Sequence, residues 1–563
     1  MAIKTTLINP PQIFTKSQVA SGLTPPLGIA YLASYLLSNN HEVQVIDGLG
    51  EAPDTITPFL KSSFLRGMTL DDIVKRIDPN SGLIGISNLF SFAYPAVELL
   101  SEKIHKKYPF MKIILGGPHP SALYKEILET RSEITYVAIG EGEESLSRLL
   151  TYLNGEEEID YVTGIAMRDC NNVVVQLKST KRFKDLNKEN IPFPARHLLP
   201  METYIQGQES HGPASGRWTS MLSSRGCPYG CTFCESAKTL WVARSAKDVV
   251  DEMEHLLDKY GVSEFHFEDD NMTINRNRLI GICDEILKRE LKIKWQTPNG
   301  IRASITDDEM LKKMKESGCM HITLAPESGS ERVLTDIIDK GRDFSLDQLL
   351  ECGRAAHKIG LKVAAYFIIG LPGETREDMV ETVKYAKALA RAGVDEAAFS
   401  LFIPLPGTPL WDVVKEKRKN MDFIDLLAAG DLNRAISWND WMDENELKNF
   451  RLRAYITFQI TRMIYHPIAF LKSFFNVLRD IEETKTERTL RQILARLKIK
   501  KKKFTNRSSP EFDNTQVAYP YDTKSTFKII FQNKPHYAFG HSLLQAFRLF
   551  GKKSSPPKGT KEN

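Results

Sequence analysis

The sequence lacks the features of an exported or membrane-embedded protein. No apolar run of the signal-peptide type follows Met1, and nowhere do about eighteen apolar residues succeed one another without a charge. Cysteine is also scarce: the seven cysteines among 563 residues are odd in number and do not suggest a disulfide framework. We therefore expect a cytoplasmic protein in a reducing compartment.

Strong overall charge is absent as well. The formal net charge is +4, and basic residues concentrate near the end of the chain, at 498–503 and 552–558. Such a weak overall field gives no reason to expect nucleic acid as a partner. With 42% hydrophobic residues, a chain of this length can bury several cores, and we expect about three or four domains.

Three of the cysteines lie together in the segment 225–234, which reads RGCPYGCTFC. This C-x3-C-x2-C spacing lets Cys227, Cys231 and Cys234 bind three irons of a cubane cluster and leaves the fourth iron open to an exogenous ligand. A structural zinc site is the alternative, but such sites normally use four protein ligands, and no fourth cysteine is near. The intervening Gly and Pro residues favour a tight loop.

Short apolar runs alternate with helical patterns from residue 5 to about residue 155. They fall at 5–10, 27–39, 43–47, 83–88, 96–107, 112–117, 136–140 and 144–153. This alternation predicts a parallel α/β sandwich, whose ligands bind at the carboxyl ends of the strands. A dinucleotide is not the predicted ligand, because no G-x-G-x-x-G follows the first strand.

Small and polar residues occupy those strand ends. They include Asn9, Asp47, Gly48, Ser87, Asn88, Gly116, Gly117, His119, Glu141 and Gly142. Glycine lets a bulky ligand approach the backbone, and Ser87 or Glu141 can supply hydrogen bonds.

The pattern of residues 156–217 indicates a connecting segment rather than a further α/β unit. Two short strand patterns, 164–167 and 173–177, flank an Asn-rich turn and indicate a β-hairpin. Residues 191–196 follow as a proline-rich linker. Cys170, at the hairpin turn, has no predicted role.

Six strand candidates alternate with helical stretches after the linker. They are 219–224, 264–269, 293–300, 321–327, 363–370 and 397–405. Capping-box patterns at Ser245 with Asp248, Thr306 with Glu309, and Thr375 with Asp378 mark helix starts. The pattern predicts an incomplete (β/α)6 barrel, whose open side can admit a large substrate.

Polar residues at the barrel's strand ends are the candidate site residues. Three consecutive acids, Glu268, Asp269 and Asp270, end the second strand, and their mutual repulsion suggests a nearby cation. A helix amino-terminal cap is the alternative for any one of them. Arg302 follows the third strand, Glu327 and Ser328 the fourth. Cys283, Cys319 and Cys352 are predicted to be small buried hydrophobes.

The cluster loop resembles that of the radical S-adenosylmethionine (SAM) superfamily, in which the methionine amine and carboxylate of SAM occupy the open iron. The segment 325–330 is similar to the family's G-x-E-S-G-S pattern, although Ala325 and Pro326 replace the usual small pair. The resemblance implies the following SAM contacts: Asp269 for the amine, Arg302 and Ser328 for the carboxylate, Glu327 for the ribose hydroxyls, and Ile369 and Gly370 for the adenine.

The amino-terminal strand-end segments resemble the cobalamin-binding domain that precedes many radical SAM barrels. The resemblance implies that Leu27 and Gly28 face the corrin and that Asp47, Ser87, Gly116, Gly117, His119, Glu141 and Gly142 lie around the cofactor and its nucleotide tail. The D-x-H-x-x-G signature is missing, so we expect no histidine ligand to cobalt from this chain. His119 is then more readily a packing residue. The alternative is an α/β domain that binds nothing.

These resemblances imply an enzyme that forms a 5′-deoxyadenosyl radical and uses methylcobalamin to methylate an unactivated carbon, or less often phosphorus. A cyclase, ring-contraction or rearrangement enzyme without net methyl transfer is one alternative, and a non-catalytic corrinoid or iron–sulfur sensor is another. A methylthiotransferase is disfavoured, because its second cluster needs three more cysteines and only Cys170 precedes Cys227. The partners implied are a small-molecule or lipid-like substrate and a reducing donor such as flavodoxin or ferredoxin.

The carboxyl-terminal region from about residue 431 is predicted to be helical, with Pro467 separating two helices. We favour a cap on the barrel, and an amphipathic surface in weak contact with membrane lipid is the alternative. The predicted domains are thus 1–155, 156–217, 218–430 and 431–563.

Overall fold

The computed structural model describes residues 3–491 apart from 16–17, 19–21, 180–181, 208, 419–421, 432 and 480. These residues all belong to one compact unit, Met1–Glu511. The basic segments 498–503 and 552–558 lie outside the described residues.

The amino-terminal sequence folds into two sheets. The strands are β1 Lys4–Asn9, β2 Gln12–Thr15, β3 Val43–Asp47, β4 Ile56–Pro58, β5 Ser63–Arg66, β6 Ser81–Ser87, β7 Lys112–Gly116, β8 Tyr136–Ala138, β9 Ile165–Arg168 and β10 Val174–Gln176. The larger sheet has the order β10-β9-β8-β7-β6-β1-β3, and β2, β5 and β4 form a small antiparallel sheet. Strands β3, β1, β6, β7 and β8 are parallel.

Helices cover both faces of the larger sheet, as the sequence predicts. They are α1 Leu27–Ser38, α2 Leu70–Arg76, α3 Tyr94–Lys107, α4 Pro118–Thr130 and α5 Glu143–Leu153. The next helix, α6 Met201–Gln206, packs instead against the first strand of the second large sheet. Successive strand residues point to opposite faces, so Leu7 and Leu83 join one apolar core while Ile8 and Ile84 join the other. The predicted α/β fold of this region is confirmed.

The predicted hairpin joins the amino-terminal sheet. Strand β9 pairs antiparallel with β8, and β10 pairs with β9. This pairing satisfies the backbone groups that β8 would otherwise leave exposed at a sheet edge. The hydrophobic pattern of residues 164–177 predicts a hairpin but does not show which edge of which sheet the hairpin extends.

The second large sheet is the predicted partial barrel. Its strands and the associated two-stranded ribbon are β11 Trp218–Met221, β12 Ser224–Arg225, β13 Val242–Ala243, β14 Glu264–Phe267, β15 Lys294–Ile301, β16 Cys319–Glu327, β17 Lys362–Ile369 and β18 Glu396–Leu401. The barrel sheet runs β11-β14-β15-β16-β17-β18, and all its pairs are parallel. Six strands in chain order confirm the (β/α)6 prediction.

Six helices follow these strands, and two of the three helix starts predicted from capping patterns are observed. They are α7 Ala246–Tyr260, α8 Arg276–Lys288, α9 Asp308–Glu316, α10 Leu346–Lys358, α11 Arg376–Ala392 and α12 Pro409–Val414. Ser245 and Thr375 cap α7 and α11. The prediction for Thr306 is wrong: Asp307 caps α9, because the Thr306 hydroxyl donates instead to the Arg302 carbonyl.

The amino ends of the barrel strands are covered by two chain segments. Ser215 bonds the Glu264 carboxylate at the start of β14, and Thr486 N donates to Glu396 at the start of β18. Arg488 joins the segments through the Ser210 and Gly212 carbonyls. We call residues 210–215 and 482–488 the barrel floor.

Two further helices, α13 Glu444–Tyr465 and α14 Pro467–Arg479, form the carboxyl-terminal region. The break at Pro467 is as predicted, and α13 packs along α11 and β18. None of the described helices combines the length and low charge that a bilayer-spanning segment requires.

A buried ion network ties the linker to the barrel. Glu252 of α7 is fully buried and accepts hydrogen bonds from Arg196, at 3.0 Å, and from Arg244. Burial opposes ionisation of Glu252, but the two guanidinium groups hold its pKa below the ordinary value. Arg196 also donates to the Ser220 carbonyl of β11, at 2.9 Å.

Replacing Glu252 by Gln should destabilise the protein by about 3 kcal/mol, because two buried guanidinium groups would lose their counter-ion. Thermal unfolding followed by circular dichroism should show a Tm lower by a few degrees. The matched control is Glu254→Gln on the same helix. The Glu254 side chain is 46% exposed, and its partner Arg289 keeps two other carboxylates, those of Asp251 and Glu285. Its effect should stay below about 1 kcal/mol; equal Tm values for the two variants would contradict the prediction.

Candidate active site

The cysteine-rich segment forms a loop closed at its base. Strands β12 and β13 pair antiparallel on either side of residues 226–241. Inside the loop, Cys227 N donates to Thr239 Oγ1 and Thr239 N donates to the Cys227 carbonyl, each at 2.9 Å. The loop therefore has a defined shape held by its own backbone.

Asp270 anchors this loop from the end of β14. Its carboxylate accepts hydrogen bonds from Gly226 N, at 2.9 Å, and from Ser236 Oγ, at 2.7 Å. Gly226 has φ +83°, and a Cβ there would lie 2.3 Å from the Leu240 carbonyl oxygen. Only glycine fits this turn without backbone displacement.

The three cysteine thiols are partly buried neighbours. Burial raises the pKa of each thiol, that of Cys234 to about 12, and the neighbouring cysteines add to this rise for Cys234. The positive charges of Arg302 and Lys340 act in the opposite direction on Cys227 and Cys231. Iron binding to the thiolates must therefore compensate mainly for burial.

The three cysteines are assigned to a cluster by their spacing in the sequence, since a cubane takes one thiolate per iron. Within the described residues, no group of three or more His, Cys, Asp or Glu is gathered closely enough to hold one metal ion.

Asp269 lies behind the cluster loop. It is 2% exposed and accepts hydrogen bonds from Ser223 N, at 2.7 Å, and from the Ser223 and Ser224 hydroxyls, both at 2.5 Å. All of these contacts are to the segment that leads into the loop. The predicted contact with the methionine amine stays a prediction, and the structure gives this carboxylate a supporting position instead.

Arg302 and Glu327 are brought together by Lys340, which the sequence did not point to. The Lys340 ammonium donates to Glu327 Oε1, at 2.7 Å. The backbone carbonyl of Lys340 accepts a hydrogen bond from the Arg302 guanidinium, at 3.1 Å. The Arg302 guanidinium also stacks 3.8 Å from the ring centre of Tyr229 in the cluster loop. Lys340 lies in a connection without any motif, so only the fold reveals it.

Ser328 faces away from this cluster of charges. Its fully buried hydroxyl lies 3.0 Å from Thr382 Oγ1 of α11 and accepts from Ser330 N, at 3.1 Å. These contacts fix the turn after β16. The predicted contact with the methionine carboxylate stays a prediction.

Ile369 ends β17 and Gly370 follows it, and the loop that begins there is held by Glu374. The Glu374 carboxylate accepts from Gly370 N, at 2.6 Å, and Leu371 N, at 3.1 Å. Burial raises its pKa to about 8. Trp441 from the carboxyl-terminal region donates to the Glu374 carbonyl, at 2.6 Å, so that region helps to order the loop.

The amino-terminal strand ends form an accessible edge. Ser87 pairs with Gly116 in register at the ends of β6 and β7. Gly117 has φ +113°, and a Cβ would lie 2.5 Å from the Asn88 carbonyl oxygen, so glycine is required. Leu27, Glu141 and Gly142 are half-buried at the starts of the adjoining helices, and Gly28 is exposed beside open space.

Asp47 and His119 are enclosed, unlike the other predicted cobalamin residues. Asp47 is 1% exposed and accepts from Asn9, at 2.8 Å, and from the Tyr204 hydroxyl, at 2.6 Å. His119 is fully buried between the rings of Tyr94 and Phe423, with centroids 4.6 and 4.8 Å away. Burial lowers its pKa to about 4, so it is a neutral packing residue rather than a surface contact.

The two ligand-binding regions adjoin at Arg225, the first residue of the cluster motif. Its guanidinium donates to Glu143 at the start of α5, at 2.7 Å, and lies 5.0 Å from the ring centre of Tyr31 in α1. Burial disfavours the charge, but Glu143 and the surrounding groups raise the Arg225 pKa above its ordinary value. Leu89 and Phe90 are exposed in the loop after β6, an apolar feature that the sequence did not single out.

Two sequence profiles match the chain. Residues 18–150 match the B12 binding domain, and residues 221–386 match the Radical SAM superfamily. They define a class of protein in which a radical SAM barrel follows a B12-binding domain.

Curated relatives extend this likeness over most of the chain. A Pyrococcus horikoshii protein described as an uncharacterized methyltransferase is 32% identical over 418 residues, 73% of this chain and 83% of that protein. Cytidylyl-2-hydroxyethylphosphonate methyltransferase of Streptomyces wedmorensis is 31% identical over 442 residues, covering 72% and 80%. Anaerobic magnesium-protoporphyrin IX monomethyl ester cyclase of Rubrivivax gelatinosus is 27% identical over 410 residues, covering 72% and 68%.

Solved structures share the fold. The methyltransferase TsrM from Kitasatospora setae, with cobalamin and a [4Fe–4S] cluster bound, has a TM-score of 0.57 at 19% identity, covering 74% of this chain and 75% of that one. OxsB with aqua-cobalamin has a TM-score of 0.55 at 21% identity, covering 75% and 56%. The chain thus belongs to the family of cobalamin-dependent radical SAM enzymes, whose cofactors are a [4Fe–4S] cluster, SAM and cobalamin.

Replacing Cys227, Cys231 or Cys234 by Ala should prevent stable cluster assembly, because each thiolate would hold one iron. Iron and sulfide content after anaerobic reconstitution, with the visible absorbance of the cluster as a second measure, should fall to background. Cys170→Ala is the matched control, since Cys170 is exposed at the turn of the β9–β10 hairpin. Full cluster content in any of the three loop variants would refute the assignment.

Proposed function

We propose that the protein is a methyltransferase that acts on an unactivated carbon, or less often on phosphorus. Two observations support this proposal. The cluster loop adjoins the amino-terminal domain through Arg225 and Glu143, and two relatives above 30% identity are described as methyltransferases.

In this proposal the bound cofactors supply a 5′-deoxyadenosyl radical from SAM and a methyl group carried by cobalamin. The chain positions the reactants. Cys227, Cys231 and Cys234 hold the cluster, and Asp270 keeps their loop in shape. Glu327, oriented by Lys340, accepts hydrogen bonds from the ribose, and the Gly370 turn, ordered by Glu374, contacts the adenine.

The substrate is proposed to be a small or lipid-like molecule bound at the barrel's inner face. Two polar side chains on this face already have hydrogen-bond partners. The Glu268 carboxylate lies 2.9 Å from His211 Nδ1, and the Tyr366 hydroxyl accepts from the Lys485 ammonium, at 2.5 Å. The second oxygen of Glu268, Oε1, has no partner among the described residues. A reducing donor such as flavodoxin or ferredoxin would supply the electron, and an oxygen-sensitive cluster favours a cytoplasmic setting.

A cyclase or rearrangement enzyme of the same architecture is the second candidate. The observation that favours it is the likeness to the magnesium-protoporphyrin IX monomethyl ester cyclase, which covers about as much of this chain as the methyltransferases do.

The two candidates differ in the products formed from SAM. Reconstituted protein with a chemical reductant, cobalamin and methyl-deuterated SAM should release 5′-deoxyadenosine, and S-adenosylhomocysteine should form in an amount matching the added cobalamin. Mass spectrometry measures both products and the labelled corrinoid. No 5′-deoxyadenosine would contradict radical chemistry and favour a sensor, whereas 5′-deoxyadenosine without S-adenosylhomocysteine would favour the cyclase.

Glu327→Gln should weaken SAM binding about tenfold while the cluster content stays normal, because the neutral amide accepts weaker hydrogen bonds from the ribose than a carboxylate does. Equilibrium dialysis with labelled SAM on the reconstituted protein measures the affinity. The control is Glu331→Gln, an exposed position four residues further along the chain. Unchanged affinity in Glu327→Gln would contradict the ribose contact.

A further inference from the structure

The connection between β16 and α10 contains an unusual turn. Residues Val333–Ile337 form a π-helical turn, in which Ile338 N donates to the Val333 carbonyl, five residues back, at 2.8 Å. Turns of this kind are rare and occur frequently at functional sites. The chain continues from the turn as residues 337–343, which we call the bridge segment.

The bridge segment contacts the cluster loop on both sides of Cys231. The Ile337 carbonyl accepts a hydrogen bond from Thr232 Oγ1, at 2.6 Å, and the carbonyl of the following residue accepts from Thr232 N, at 2.9 Å. At Gly230, a Cβ would lie 2.9 Å from Asp339 Oδ2. The bridge segment therefore packs directly against the part of the loop that carries Cys231.

Lys340, in the middle of the bridge segment, forms a buried ion pair with Glu327. Each residue is 8% exposed, and Lys340 Nζ lies 2.7 Å from Glu327 Oε1. Among the residues that the structure describes, neither side chain has a second ion pair. Such a pair adds little stability over apolar packing, because both charges lose their hydration, so its presence suggests a role in the site.

The backbone at Glu327 is strained. Its φ is +61°, in the left-handed region that residues with a β-carbon seldom adopt. Strained residues persist where surrounding contacts hold them, and they cluster at ligand sites. Lys340 holds the carboxylate through Oε1, and no described residue donates a hydrogen bond to Oε2. This arrangement leaves one oxygen of Glu327 for a ligand.

Both charges of this ion pair act on Cys231. Burial raises the pKa of the Cys231 thiol, the Lys340 charge opposes that rise more than any other group does, and the Glu327 charge adds to it. A cluster becomes more negative when it is reduced, and its reduction potential depends on the surrounding charge. A nearby cation therefore favours the reduced cluster, whereas an uncompensated carboxylate disfavours it.

We propose that Lys340 is a positioning residue that links Glu327 of the SAM site to the cluster loop and raises the reduction potential of the bound cluster. Its ammonium holds Glu327 Oε1 and leaves Oε2 for the ribose, and its charge compensates that of Glu327 beside Cys231. The proposal rests on the ribose contact in the proposed function, but it applies to the methyltransferase and the cyclase alike.

A redox titration of the reconstituted full-length protein, followed by electron paramagnetic resonance of the reduced cluster, tests the proposal. Lys340→Met should shift the potential to a more negative value, because Glu327 is then uncompensated beside the loop. Lys340→Arg, which keeps the charge, should stay closer to the wild type. The matched control is Arg342→Met, which removes an exposed cation from the same segment and should leave the potential unchanged, since water screens its charge.

A second comparison is needed if Lys340→Met holds too little cluster, because this variant leaves a buried carboxylate without a counter-ion. Glu327→Gln removes that carboxylate and should raise the potential. The double variant Lys340→Met, Glu327→Gln should have a lower potential than Glu327→Gln alone. Equilibrium dialysis with labelled SAM should show about tenfold weaker binding to Lys340→Met, because the ribose acceptor is no longer held in place.

Equal potentials for Lys340→Met and the wild type, or an equal shift in Arg342→Met, overturn the proposal. A double variant whose potential equals that of Glu327→Gln also overturns it. Unchanged SAM affinity in both Lys340→Met and Glu327→Gln, together with a shifted potential, would instead contradict the ribose contact and leave the effect of Lys340 on the cluster in place.

Discussion

The contact between Arg225 and Glu143 is the constraint on which the arrangement of the two cofactor regions depends. A buried ion pair gains little stability over apolar packing, because both charges lose their hydration. This ion pair fixes the relative position of the two regions. It holds Arg225, which precedes the cysteine loop, at the start of α5, beside the strand ends of the amino-terminal sheet. Tyr31 adds a ring face to the same guanidinium.

The sequence predicts those parts of the fold that depend on local pattern. Apolar runs separated by helical patterns were sufficient to predict the strands of both large sheets. The cysteine spacing identified the loop predicted to bind the cluster. Pairing across long separations was less accessible, since nothing in residues 164–177 indicates that their hairpin extends the sheet at β8. Chain order predicts the parallel strands well because each βα unit places its strand beside the preceding one.

At the candidate site, the sequence could not predict the direction in which each side chain points. Three consecutive acids after β14 share one strand end, yet Asp269 and Asp270 support the cluster loop through different partners, and Glu268 contacts His211. The sequence gives no information on which of these carboxylates keeps an open hydrogen-bonding position. Lys340 was missed for a related reason, because its importance comes only from its contact with Glu327 across the site. The aromatic stripe of the last helices divides similarly: α13 buries Phe458, whereas α14 exposes Phe475.

The barrel floor has a consequence for the order of events during turnover. Residues 210–215 and 482–488 lie across the amino ends of the strands. Reactants can therefore enter and leave only at the carboxyl end or between the edge strands β11 and β18. Methionine, the spent nucleoside and the modified substrate must then leave by routes that the incoming molecules also use. Entry and exit therefore share one side of the barrel, so a product that stays bound would obstruct the next SAM or substrate molecule.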